Sequence, residues 1–397
     1  MDDALKPVMR HLLARRDAAQ AAAKRAEQAV SAKPAGAADA DAAGQADADA
    51  AGQPDADAAG QPDADAAGQP EAAKPVGAAA TRDGGATSRF DDGRRIGLVV
   101  QGGAMRGVFT AGALCGLEEL GLRDCFDVAF GASGGAINIA YLLAGQVFYG
   151  TSIYYSDINN NAFIDFRRFA AGNAVDIDYC FDEVIGRRKR LDLERVLAHP
   201  TELRIVLTDV EAGTSMHVRQ HDLEEASELL LALKASAAMP LVYRRHLALG
   251  ERRVMDGAYL DPVPLDAAIA AGCTDVVVLL TRPRGWRPVT SPSWVRAWVH
   301  RSLGMRNGGA LNRAWAAGLR RYADTLARLE LDTVRGDDGR EVNLAVVAPP
   351  ATLGLSRFTR DRARLVEAAT EAARRVHTLG GVEPESLRPF EAIRVRW

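Results

Sequence analysis

The tightest constraint on the fold is a strand–glycine turn–helix unit that occurs twice in close succession. In the first unit Ile96, Leu98, Val99 and Val100 make a short apolar run, Gly102 and Gly103 allow a sharp turn, and Val108, Ala111, Leu114, Leu117 and Leu120 recur at helical spacing. In the second, 126–130 reads as a strand, Gly131-Ala132-Ser133-Gly134-Gly135 as a turn and 136–144 as a helix. A helix that starts directly after such a turn points backbone N–H groups at negative charge. The second turn is also Gly-x-Ser-x-Gly in the context expected of a nucleophile elbow, where small neighbours leave room for a sharp bend and an approaching carbonyl. The first turn then supplies an oxyanion hole and the second a nucleophile, Ser133.

The pattern continues as alternating strands and helices. Strands are expected over 203–209 and 215–219, joined as a hairpin through Glu211-Ala212-Gly213, then over 247–255 with Gly250 at a turn, 276–281 and 342–348. Helices are expected over 191–199, 223–238, 264–271, 310–331 and 360–379, the last capped by Thr359 or Asp361. This alternation predicts an α/β fold, three layers α/β/α with a mainly parallel central sheet covered on both faces. Residues 146–190 read as irregular and are rich in aromatics, among them Phe148, Tyr154, Phe163, Phe169 and Phe181, which suit a lid over the site and core packing equally.

The first third of the chain has another character. Residues 5–30 are rich in Ala, Arg and Lys and read as a short amphipathic or solvated helix, or as a loosely helical or disordered leader. Between Asp39 and Pro70 the sequence repeats Asp-Ala-Asp-Ala-Ala-Gly-Gln, with almost no large apolar residue to offset the entropy of ordering. The domain plan is therefore 1–92 a disordered low-complexity leader and linker, 93–285 a catalytic core, and 286–397 a helical and strand extension packed on that core. The remainder should survive trimming of the leader.

A serine hydroxyl needs a base. His199, His217, His221, His246, His300 and His377 all lack the setting of a triad histidine, a loop directly after a late strand. Asp256 follows Arg253-Val254-Met255 and precedes Gly257. That reads either as a turn aspartate or as a base at a strand end, on the same edge of a parallel sheet as the elbow.

Taken together these residues resemble the patatin-like phospholipases over about 94–281. The oxyanion motif reads Gly102-Gly103-Ala104-Met105-Arg106-Gly107, with Ala104 where the family has a third glycine. The elbow is Gly131-Ala132-Ser133-Gly134-Gly135, the Asp-Gly-Gly/Ala motif is Asp256-Gly257-Ala258, and Ala235-Ser236-Ala237-Ala238-Met239-Pro240 looks like a further block. The resemblance implies a lipid acyl hydrolase that cleaves carboxylic esters of phospholipids or lysophospholipids. Ser133 would be the nucleophile, Asp256 the proton acceptor, and the N–H groups near Gly102, Gly103 and Ala104 the oxyanion hole, with no metal and no cofactor. Arg106 would meet a lipid phosphate or brace its loop. Other readings are an esterase or thioesterase on soluble acyl substrates, and a catalytically weak lipid-binding scaffold. A dinucleotide site is disfavoured, because Gly102-Gly103-x-x-x-Gly107 does not fit Gly-x-Gly-x-x-Gly.

Charge and composition narrow the partners. A net charge of −3 gives no reason to expect nucleic acid. Cys115, Cys125, Cys180 and Cys273 are scattered without metal-ligand spacing and are expected to be reduced and buried. No secretory signal is visible, and no stretch reaches the ~20 apolar residues of a membrane span. A cytoplasmic protein is expected; Trp286, Trp294 and Trp298 suit peripheral membrane contact or core burial, and the residues set no oligomeric state.

Overall fold

The structure, a computed structural model, describes residues 6–31, 88–168, 174–239, 243, 247–288, 294, 310–383 and 390. The described residues of Met1–Ala18 and Pro75–Trp397 make one compact unit; of Ala19–Lys74, only 19–31 are described, and they continue a helix.

Nine described strands form one sheet: β1 Ile96–Val100, β2 Val128–Ala132, β3 Glu202–Asp209, β4 Thr214–Arg219, β5 Leu247–Leu249, β6 Arg252–Asp256, β7 Asp275–Leu279, β8 Thr333–Arg335 and β9 Glu341–Val347. Its order is β5-β6-β3-β2-β1-β7-β9-β8, with β4 also paired to β3. The centre, β3-β2-β1-β7-β9, is parallel throughout, and the antiparallel pairs lie at the flanks. The expected mainly parallel α/β sheet is thus present. β1, β2 and β7 are buried at every position, as their near-continuous apolar runs require of strands covered on both faces.

The helices are α1 Pro7–Ser31, α2 Gly107–Glu119, α3 Gly134–Leu143, α4 Val147–Ser156, α5 Leu193–Leu197, α6 Ala226–Ala237, α7 Leu265–Ala270, α8 Ala310–Arg328 and α9 Arg362–Leu379. A π-helix covers Tyr179–Arg188. Asp361 caps α9, its side chain accepting from the Arg364 N–H. α9 buries Ala368, Ala369, Ala372 and Ala373, small residues that let it pack close to α2, and His377 Nε2 lies 3.0 Å from Glu119. All four cysteines are free and buried.

The domain plan needs one correction. The helical reading of 5–30 holds and the disordered one does not: α1 buries Val8, Met9 and Leu12 in the main core and Arg15 at 4% exposure. Arg15 donates to Asp92, Asp127, Ser88 and the carbonyls of Cys125 and Arg94. Overall composition hid this, because a few residues on one helical face suffice to dock a helix whose other positions are charged or small. The Asp-Ala repeat and Phe169 lie outside the described residues.

Candidate active site

The site is assembled on one edge of β3. β4 occupies the opposite edge along 204–209, so β2 and β6 must share the remaining one. β2 pairs up to Ala132 opposite Val206, and β6 arrives from the other direction and stops with Asp256 opposite Leu207. The two strands therefore end head to head at the Val206–Leu207 peptide. Ser133 follows the last residue of β2, and its Oγ donates to Asp256 Oδ2 at 2.9 Å across 123 positions of sequence. The strand-end reading of Asp256 needs one correction: β6 is antiparallel to β3, not a member of the parallel set. It reaches the elbow because it stops where β2 stops.

The same peptide holds the surroundings in place. Ser236, at the end of α6, donates through Oγ to Val206 O at 2.7 Å and accepts the Ser133 N–H at 2.9 Å. A side chain on Gly257 would put Cβ 2.1 Å from Val206 O, so only glycine lets the chain turn there. The Ala258 N–H then donates to Asp256 Oδ1 at 2.8 Å. Ser236 had been visible only as part of a sequence block; its role depends on a carbonyl thirty residues away in the chain.

Ser133 itself has φ 55° and ψ −133°, a backbone that non-glycine residues rarely adopt. This sharp turn connects β2, ending Gly131-Ala132, to α3, whose first residues are Gly134 and Gly135. It also sets Ser133 at the positive end of α3. Asp256 is 3% exposed, and loss of solvation raises its pKa to about 6 despite the lowering effect of the Ala258 and Ser133 donors.

The loop from Gln101 to Gly107 lies directly above. Gly102 presses on the elbow so closely that a Cβ would sit 2.3 Å from Ala132 O and 2.6 Å from Ser133 Cβ. Ala104 takes φ 51°, the left-handed conformation a glycine would hold without strain. The N–H groups of Met105, Arg106 and Gly107 are engaged, by Arg357 O, Gly103 O, and Ala104 O with Met105 O respectively. Those of Gly102, Gly103 and Ala104 donate to no acceptor among the described residues. Thr281 ties the loop to the end of β7, its Oγ1 donating to Gly102 O at 2.9 Å and its N–H to Gln101 Oε1 at 2.7 Å. Asn138 Nδ2 holds Gly107 O at 3.0 Å. Arg106 is buried but donates to none of these carbonyls.

Ser133, Asp256 and the loop face a cavity of about 790 Å³. Phe163 and Phe181 are buried and also line it, so the aromatic segment both packs the core and walls the site. Trp286 lines the cavity beside Tyr322, Trp294 is exposed, and Trp298 lies outside the described residues. No described lining residue is a histidine: His199 pairs with Asp124, His377 with Glu119, and His217 stands against Phe130 and Asp261. His246 and His300 lie outside the described residues. Among the described residues no group of three or more His, Cys, Asp and Glu is placed to hold a metal ion, and no helix is long and apolar enough to cross a membrane.

Residues 98–269 match the family model of patatin-like phospholipases. A curated relative, the uncharacterized protein YjjU of Escherichia coli (strain K12), is 27% identical over 212 residues, 51% of this chain and 56% of that protein, so the chain matches about half of its relative's length. Among solved structures, VipD from Legionella pneumophila aligns at TM-score 0.37 with 13% identity, covering 73% of this chain and 69% of that one. Human GIVD cytosolic phospholipase A2 aligns at TM-score 0.34 with 12% identity, covering 72% and 59%.

Proposed function

We propose that this chain, with a patatin-like phospholipase domain over 98–269, is a serine acyl-ester hydrolase acting on phospholipids or lysophospholipids through Ser133 and Asp256. The observation that carries the reading is the 2.9 Å hydrogen bond between Ser133 Oγ and the buried Asp256, on a strained elbow facing a cavity lined largely by apolar residues. A carboxylate with a pKa near 6 is ionised at neutral pH yet basic enough to take a proton as the serine oxygen attacks. Ser133 Oγ adds to the ester carbonyl while its proton passes to Asp256. The tetrahedral oxyanion is held by the free N–H groups of Gly102, Gly103 and Ala104, each worth about 3–4 kcal/mol where such donors have been removed. Collapse returns the proton to the departing alcohol. Water, deprotonated by Asp256, then releases the fatty acid and restores the serine.

A fluorophosphonate probe should label the purified protein at Ser133, as read by mass mapping, and Ser133→Ala should abolish the label. Asp256→Asn keeps the shape but removes the proton acceptor, so phospholipid turnover should fall by about 100-fold or more. Labelling elsewhere, or turnover that survives Asp256→Asn and is lost on replacing a histidine, overturns the dyad.

A further inference from the structure

The cavity lining is of two kinds. Ile137, Ile153, Ile158, Val175 and Ile177 give it apolar surface suited to an acyl chain. Three neighbouring arginines come from separate segments: Arg106 from the loop above Ser133, Arg282 just after β7, and Arg357 from the connection between β9 and α9. Asp256 is the one carboxylate among the described lining residues, so the lining carries two positive charges in excess.

These arginines are not consumed by the fold. Arg106 is 4% exposed, and its Nε has no partner. Burial and its two arginine neighbours push its pKa down to about 9, so it remains charged at neutral pH. A guanidinium buried without a carboxylate is costly, and the cost is recovered only when an anion arrives. The neighbours are held ready for one. Arg282 stacks over the Trp286 ring, 4.4 Å from its centroid, which fixes the plane of the guanidinium. The Arg357 carbonyl accepts the Met105 N–H, so its segment is fixed to the loop above the elbow. Tyr322, whose hydroxyl accepts from Gln101 Nε2 at 2.6 Å, stands beside all three arginines.

Resting on the ester-hydrolase reading, we propose that Arg106, Arg282 and Arg357 form a phosphate site that selects acyl esters bearing a phosphate monoester. Two excess charges match a phosphate dianion, and forked guanidinium donors match its oxygens. A choline or ethanolamine head group would add a fourth cation beside these three.

The test uses the full chain and three esters with one acyl chain: an acylglycerol phosphate, the corresponding lysophosphatidylcholine and the monoacylglycerol. The phosphate monoester should have the highest kcat/KM. In Arg282→Gln/Arg357→Gln that advantage should shrink by about tenfold to a hundredfold, chiefly through KM, as expected for lost charge-assisted contacts. Equal kcat/KM for the three esters, or an unchanged ratio in the double variant, overturns the proposal. Calorimetric titration with glycerol 3-phosphate and inorganic phosphate reads the site without turnover. Tighter binding of glycerol 3-phosphate, weakened in the folded double variant, supports a substrate site; equal binding of the two, or none, overturns it. Should no ester be cleaved while glycerol 3-phosphate binds, the hydrolase reading fails on its own.

Discussion

Asp256 carries two demands that oppose each other. As a proton acceptor it must be charged, yet burial raises its pKa from the ordinary carboxylate range to about 6. Its folded pKa lies above its unfolded one, so the folded state takes up a proton first as pH falls. The group therefore favours folding as pH drops from above 6 toward 4, and at neutral pH its buried charge costs about 3 kcal/mol. Two outcomes follow. The kcat/KM for an uncharged ester should fall about tenfold per pH unit below about 6, where Asp256 is protonated. Asp256→Asn should raise the melting temperature at pH 7 while abolishing turnover, measurable by differential scanning fluorimetry beside the assay. A melting temperature that falls would mean the carboxylate is stabilised by its surroundings. Ser133 and Asp256 were legible in the sequence because each stands beside glycines in a short contiguous motif, whatever distant carbonyl makes those glycines necessary. Ser236 and Thr281 were not, because a serine or threonine that bonds a distant carbonyl leaves no local mark.

The loop between β1 and α2 is the element on which the rate should depend. Ala104 holds φ 51°, a strained conformation for a residue with a Cβ. Ala104→Gly should be tolerated, with stability raised by about 1 kcal/mol and activity equal to or above the parent, as urea unfolding and ester assays would read. Gly103→Pro deletes one of the free N–H groups, so kcat should fall with KM little changed, because the oxyanion exists only at the transition state. A folded Gly103→Pro enzyme with full kcat would move the oxyanion to other donors. Periodicity found the elements that surround this loop, since long apolar runs and helical spacing are local signals. It missed α4 at Val147–Ser156, in a stretch read as irregular, β8, three residues too short to alternate, and the π-helix at Tyr179–Arg188, whose winding no local spacing marks. It also missed the direction of β6, because strand direction is decided by partners elsewhere in the chain.

At the scale of the molecule, α1 joins the core through Val8, Met9 and Leu12 and through one buried arginine. Arg15 Nη1 reaches Asp127 Oδ2 at 2.9 Å, and that same oxygen accepts the Ile96 N–H at 2.7 Å, so the helix is bonded to the starts of both β1 and β2. Arg15→Ala would leave Asp127 buried without its cation and should cost about 3–5 kcal/mol in urea unfolding. A loss under 1 kcal/mol would mean that α1 is dispensable. The arrangement on β3 has a consequence for how the chain comes to work. Neither Ser133 nor Asp256 can find the other by local structure, since each is delivered by a strand that must first pair with β3. No fragment that ends before β6 can hold the pair, and a half-folded chain with its helices formed would still be inert. Long-range pairings of this kind are the slow part of folding. The appearance of turnover is thus a clock for the last long-range event in refolding, and it should lag behind the recovery of helical signal.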